Sequence, residues 1–137
     1  MITLSQTLRI AVVAGTMTLT ACGGMMASNT ATFGATLTGA AEVPAVTTEG
    51  NGTLTATLNK TTSELTWKIT YTGLTGPAAA SANAGVSLGF ASAASPIEGK
   101  ATLTAAQVAD LMAGKWYANV HTAANKGEEI RGQVAAK

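Results

Sequence analysis

Residues 116–134, WYANVHTAANKGEEIRGQV, decide the fold because they can pair as a β-hairpin in one register. If Thr122 pairs with Glu128, one face of the hairpin carries only apolar residues and glycine: Trp116, Ala118, Val120, Ile130, Gly132 and Val134. The other face then pairs His121 with Glu129, Asn119 with Arg131, and Tyr117 with Gln133. Because a slip of one residue would mix the two faces, this pattern predicts an antiparallel hairpin.

Further strands are predicted upstream of this hairpin. Residues 53–58 (TLTATL) and 65–71 (LTWKITY) both alternate apolar and polar side chains, which is typical of half-buried strands. The polar residues 59–64 between them predict a turn, so these segments form a second hairpin. Residues 73–77 (GLTGP) end it, and residues 97–103 are expected to form another strand. Both tryptophans, Trp67 and Trp116, are expected in the core.

One short helix is predicted after residue 103. Thr104 can cap its N-terminus, with Gln107 three residues on as in a capping box. Gly114 supplies the stop. The expected apolar stripe consists of Val108, Leu111 and Met112.

The N-terminal residues 1–21 are typical of an export signal, with Arg9 before a short apolar segment. The segment ends in Leu-Thr-Ala before Cys22, the only cysteine, and resembles the bacterial lipobox. That resemblance implies lipidation of Cys22, a membrane anchor and a cell-envelope location, and Gly23 favours the outer membrane if the host is Gram-negative. The alternatives are a free thiol or a soluble secreted protein cut nearby. Residues 22–32 are expected to be a flexible tether and 33–137 one domain.

The charge balance argues against nucleic-acid binding. Charged residues make up 11% of the chain, and removal of residues 1–21 with Arg9 leaves seven basic and seven acidic residues. Neither a basic stripe nor alternation of aromatic and basic residues is present. Small side chains dominate, so the fold must depend on sheet hydrogen bonding as well as on burial.

Motifs spread along residues 37–133 resemble those of the CHRD domain family, first named for repeats in chordin. They are LTGAAEVP at 37–44, YTGL at 71–74, the helix at 103–114, YANVHT at 117–122 and EIRGQ at 129–133. The resemblance implies an all-β fold, an antiparallel β-sandwich with an immunoglobulin-like or copper-zinc superoxide dismutase-like layout and one short helix as an excursion. It implies no general enzymatic activity and a link to extracellular binding. The motif residues with structural or binding roles would be Glu42, Pro44, Asn119, His121, Glu129, Arg131 and Gln133.

The chain departs from the family pattern at one place. Ser81 and Asn83 stand where the family usually has two histidines, and His121 is the only histidine of the chain. Zinc or copper sites need about three suitable ligands. No metal site, cofactor or catalytic residue is therefore predicted, and we expect His121 to hydrogen-bond Glu129 across the hairpin.

Two groups of acidic residues are candidate sites. Adjacent Glu128 and Glu129 point to opposite faces of a strand, so they cannot act as a facing acid/base pair. Glu42 and Pro44 could form a ligand-contact loop. The favoured interpretation is structural: Pro44 ends the first strand and Glu42 anchors it, with Arg131 as a candidate partner.

Three functions follow from the sequence. The first is a lipid-anchored, non-enzymatic envelope protein that acts as a binding or structural module for an unknown protein or glycan partner. The second is a metal-dependent or redox enzyme of superoxide dismutase-like fold. The third is a small-molecule or glycan-binding domain, which the Ser/Thr/Asn-rich strand faces would also suit.

Overall fold

The computed structural model describes residues 28–79, 88–127 and 129–137. The predicted signal peptide (1–21), Cys22, and Ser81 and Asn83 lie outside these ranges. The described elements are β1 (Thr30–Thr38), a 3-10 turn (Gly39–Ala41), β2 (Asn51–Asn59), β3 (Glu64–Thr72), β4 (Ala78–Ala79), β5 (Ile97–Thr102), α1 (Ala105–Met112), β6 (Tyr117–Thr122), β7 (Ile130–Gln133) and β8 (Ala135–Ala136).

The strands form one antiparallel sheet in the order β4-β6-β7-β1-β2-β3-β5, with β8 also paired to β1. Strand β1 joins the two halves: it pairs with β2 along its whole length, but with β7 only where Thr38 lies opposite Arg131. Buried apolar side chains from both halves belong to one cluster, so the sheet curls around a single core. The all-β antiparallel fold is confirmed, with its halves continuous through β1.

The β2–β3 hairpin follows the alternation of its sequence. Leu54, Ala56 and Leu58 are buried, whereas Thr53 and Thr55 on the opposite face are exposed. The strands pair from Asn51–Thr72 to Asn59–Glu64, and the turn lies between them as predicted. Strand β5 adds to the other side of β3 and ends one residue before the predicted limit.

Helix α1 begins as its sequence predicts. The Thr104 hydroxyl accepts from the Gln107 N–H at 3.3 Å and the Gln107 side chain accepts from the Thr104 N–H at 2.8 Å, which completes the capping box. Gly114, with φ of +69°, provides the left-handed residue that follows the helix. The predicted apolar stripe of the helix included Met112, but Met112 is 49% exposed, whereas Leu111 is buried.

The first strand differs from its prediction at both ends. It begins at Thr30, so the last three residues assigned to the tether are paired with β2. It ends at Thr38, before the 3-10 turn, and not at Pro44. The carbonyl of Gly39 accepts the N–H groups of both Glu42 and Val46, and this turn ends the strand before the proline is reached.

Candidate functional site

The β6–β7 hairpin carries five of the predicted site residues, and it has the predicted register from Tyr117 to Val120. Tyr117 lies opposite Gln133, Asn119 opposite Arg131, and Val120 opposite Ile130. The register changes at Glu129, whose N–H donates to the carbonyl of Val120 at 3.0 Å. Glu129 and Ile130 therefore both lie opposite Val120, an arrangement of two residues against one that is typical of a β-bulge.

This shift places the Glu129 carboxylate among hydroxyl and amide donors. Glu129 is fully buried, and its carboxylate accepts five hydrogen bonds. The donors are the Thr122 hydroxyl at 2.7 Å, the Thr48 hydroxyl at 2.8 Å, the Thr75 N–H and hydroxyl at 2.8 Å each, and the Asn125 amide at 3.2 Å. A carboxylate with two oxygens offers about four lone-pair sites, so this group is saturated.

The donors come from separate parts of the chain. Thr48 lies in the loop between β1 and β2, Thr75 in the loop after β3, and Asn125 in the β6–β7 turn. Gly73, with φ of +70°, turns the chain toward Thr75, and a Cβ there would meet the Glu49 carbonyl at 2.6 Å. The buried Glu129 carboxylate thus forms hydrogen bonds with three loops at the same end of the sheet.

The electrostatics of Glu129 follow from these bonds. Burial by itself raises the pKa of the carboxyl, because it penalises the charged form. Hydrogen bonds from Thr122, Thr48 and Thr75 stabilise the anion and outweigh burial, so that the pKa falls to about 2. Glu129 is therefore a carboxylate at neutral pH, held by donors that are formally uncharged.

Sequence reasoning identified Glu129 but missed its donors. The sequence predicts that Thr122 pairs with Glu128, which lies outside the described residues, and it indicates no role for Thr48, Thr75 or Asn125. Thr75 follows the YTGL motif directly, and Thr122 closes the YANVHT motif. Their place beside the motifs was the signal in the sequence that could have identified them.

His121 is buried, at 6% exposure, and lies opposite Ala79 of β4. The predicted hydrogen bond from His121 to Glu129 is replaced by bonds from Thr48, Thr75, Thr122 and Asn125. The bulge explains the difference, because it removes Glu129 from the position opposite His121 that an uninterrupted register would give.

Tyr117, Arg131 and Gln133 lie on the face of the hairpin opposite the buried Ala118, Val120 and Ile130. The Arg131 guanidinium carbon lies 3.7 Å from the centre of the Tyr117 ring, a cation–π contact. Gln133 donates through its side-chain amide to the carbonyls of Gly114 and Trp116, at 2.6 Å each. Gln133 therefore fixes the entry into β6, which is a structural role.

Glu42 and Pro44 follow the 3-10 turn. Glu42 is buried at 4% exposure, whereas its neighbour Val43 is 82% exposed and Pro44 is also exposed. The turn before Glu42 lies against β7, which carries Arg131. The proposed ion pair between Glu42 and Arg131 stays a prediction.

Within ranges 28–79, 88–127 and 129–137, no three His, Cys, Asp or Glu side chains are grouped so as to hold a metal ion. No helix in those ranges is long and apolar enough to span a membrane. A shallow depression of about 110 Å³ lies between β2 and β3, below the roughly 300 Å³ at which small-molecule pockets usually begin. It is lined by Asn51, Gly52, Thr53, Thr70, Tyr71 and Thr72.

Comparison with known proteins agrees with the motifs and the fold. The CHRD domain matches residues 33–134, from β1 to the residue after β7. No curated protein and no solved structure gave a significant match. The matched range includes the β6–β7 hairpin, Glu129 and each described donor to it, and the chain belongs to the CHRD domain family.

Proposed function

We propose that this protein is a lipid-anchored, non-enzymatic module of the cell envelope, whose CHRD domain binds or organises a protein or glycan partner. Residues 1–21 and Cys22 supply export and the anchor. Residues 33–137 supply the domain held at the membrane surface. Gly23 after the lipidated cysteine favours the outer membrane of a Gram-negative host.

The observation that carries the non-enzymatic proposal is the saturation of Glu129. A catalytic acid or base must exchange a proton with a substrate and needs reach to it. The Glu129 carboxylate is fully buried and accepts five hydrogen bonds from within the chain. Its pKa of about 2 also lies far from the neutral range that suits a general base. This arrangement supports a structural role for Glu129.

The anchor proposal has a separate basis in the sequence. The LTAC segment at 19–22 ends the apolar part of the export signal, and Cys22 is the only thiol of the chain. Lipidation would consume a thiol that is otherwise open to oxidation in an exported protein. Several acyl chains on one N-terminus bind a membrane far more firmly than a single chain.

The anchor is tested by expressing the full chain with Cys22→Ser and fractionating the cells. We expect the wild-type protein in the membrane fraction, with an intact mass that starts at Cys22 and includes acyl chains. The Cys22→Ser variant should keep residues 1–21, while Ser28→Ala should mature normally as the matched control. Acyl-free mature protein in the soluble fraction would overturn the anchor.

The binding role is tested by capture of the intact lipidated protein from its own envelope, followed by mass spectrometry. A recovered protein or glycan that binds the purified chain again in a separate assay would support the proposal. Substrate turnover by the purified chain that Glu129→Gln abolishes, with the fold retained by circular dichroism, would overturn it.

A further inference from the structure

We propose that β5 is a self-association edge, at which two copies of this chain pair their β5 strands antiparallel about a two-fold axis through Gly99. Strand β5 (Ile97–Thr102) is the last strand of the sheet order beyond β3. Within the described residues, no strand pairs with its outer edge. An edge strand presents N–H and C=O groups that a further strand can pair with.

The sequence of β5 sets which registers are possible. Its inner face carries Ile97, Gly99 and Ala101, opposite Ile69, Trp67 and Leu65 of β3. Its outer face carries Glu98, Lys100 and Thr102, which are exposed. Because residues directly opposite each other share a face, a second β5 must pair inner with inner and outer with outer residues.

Only a few registers pair inner with inner and outer with outer residues while the centres of the two strands lie opposite each other. In one of them Glu98 faces Glu98 of the second copy, and in another Lys100 faces Lys100 of the second copy. Both place like charges directly opposite each other, which is destabilising. The register centred on Gly99 instead places Glu98 opposite Lys100 twice, once on each side of the axis.

This register also suits the residues beside the charges. Gly99 faces Gly99, and Ile97 faces Ala101, so no bulky pair meets at the axis on the inner face. The resulting interface is isologous, as a two-fold dimer requires. Charged edge strands normally resist pairing, but this one carries its charges in a self-complementary order.

The ion pairs inside one copy extend the same charge pattern. Lys68 Nζ lies 2.7 Å from Glu98 Oε1, and Lys100 Nζ lies 3.2 Å from Glu64 Oε2. In the dimer, Lys68 and Lys100 of the second copy would flank Glu98 on either side. The charges would therefore alternate in sign across the interface, which favours this partner and this register.

The first test uses opposite charge changes in the full chain. Glu98→Lys leaves two lysines on the edge, and Lys100→Glu leaves two glutamates. Each variant alone should associate at least about fivefold more weakly than the wild type, because both attractive pairs become repulsive. Mixed together, the two variants should recover association, because each supplies the charge that the other lacks. Lys68→Gln is the control, because it breaks an ion pair of Glu98 but leaves both edge charges in place.

Association is measured by co-purification of differently tagged copies from the same cells, with thermal melts of each purified variant. Wild-type association that both single variants lose and their mixture recovers supports the proposal. Absence of wild-type association, or equal association of every variant, overturns it.

The second test fixes the register even if a charge variant fails to fold. One tagged copy carries Glu98→Cys and the other carries Lys100→Cys, and disulfide formation is followed on non-reducing gels. Directly opposite residues meet the geometry of a disulfide, whereas two residues at position 98 would lie roughly 8 Å apart, beyond the roughly 7 Å limit. A crosslink in the mixed pair, above that of the wild type and of either single variant, supports the proposal. No crosslink, or an equal crosslink with Glu98→Cys alone, overturns it.

Discussion

The Thr122 hydroxyl donates to Glu129 Oε2 at 2.7 Å, and both residues are fully buried. Thr122 ends β6, and Glu129 forms the bulge before β7, so the bond closes the turn between the strands. Thr48 and Thr75 extend this closure to two other loops. The buried carboxylate of Glu129 therefore joins distant loops, and its removal should affect the whole domain.

Glu129→Gln should lower the free energy of unfolding by about 2–4 kcal/mol. The amide keeps the shape of the side chain, but it removes the charge and turns one acceptor into a donor that faces other donors. The measurement is a urea melt at pH 7. Glu64→Gln is the matched control, because Glu64 forms only an exposed ion pair with Lys100 and should lose less than about 1 kcal/mol. Equal losses in the two variants would contradict the role of Glu129.

The stability of the domain should fall in acid through Glu129. Its pKa is lowered from 4.5 to about 2 in the folded chain, so the unfolded chain binds the proton first as the pH falls. The contribution is complete above about pH 4.5 and is lost as the pH approaches 2. Urea melts between pH 7 and pH 2 should show a loss that is larger for the wild type than for Glu129→Gln. Parallel pH profiles would show that another group causes the loss.

Burial of the predicted core positions should also be visible in stability. Trp67→Ala and Ile130→Ala should each cost about 2–5 kcal/mol. Ile130 is fully buried, and the Trp67 ring lies against the core with the Phe90 ring centre 6.1 Å away. Thr55→Ala should change little, because Thr55 is exposed on the outer face of β2. Small and equal effects in denaturant melts would contradict this assignment of faces.

The part of the fold that sequence could predict is the part that local pattern specifies. Alternation in β2 and β3 placed Leu58 in the core, and the Thr104–Gln107 pair placed the start of α1, because each signal lies within a few residues. The partners of Glu129 could not be found this way. Thr48 and Thr75 lie 81 and 54 residues from Glu129 along the chain. The residues next to each threonine do not distinguish a buried hydrogen-bond donor from an exposed threonine.

The bulge at Glu129 was missed for a related reason. Alternation assigns each residue to a face only while the ladder is uninterrupted, so it predicted His121 as the partner of Glu129. The β1 boundary was missed because Pro44 is a strong local stop signal, whereas the actual end depends on the turn in which Glu42 and Val46 bond to the Gly39 carbonyl. These differences all concern the loops at which the candidate site lies.

The last prediction concerns His121, the only imidazole of the chain. A zinc or copper site needs about three protein ligands of suitable softness. The carboxylate of Glu129 is already occupied by five hydrogen bonds, and His121 is buried on β6 beside β4. We therefore expect the full chain, purified without chelator, to contain no stoichiometric zinc or copper by elemental analysis.

His121→Ala should lower the free energy of unfolding by about 1–3 kcal/mol in a urea melt, because it removes a buried side chain, while Lys126→Ala in the exposed turn should change little. Stoichiometric zinc or copper that is lost in His121→Ala and retained in Lys126→Ala would contradict the structural role of His121.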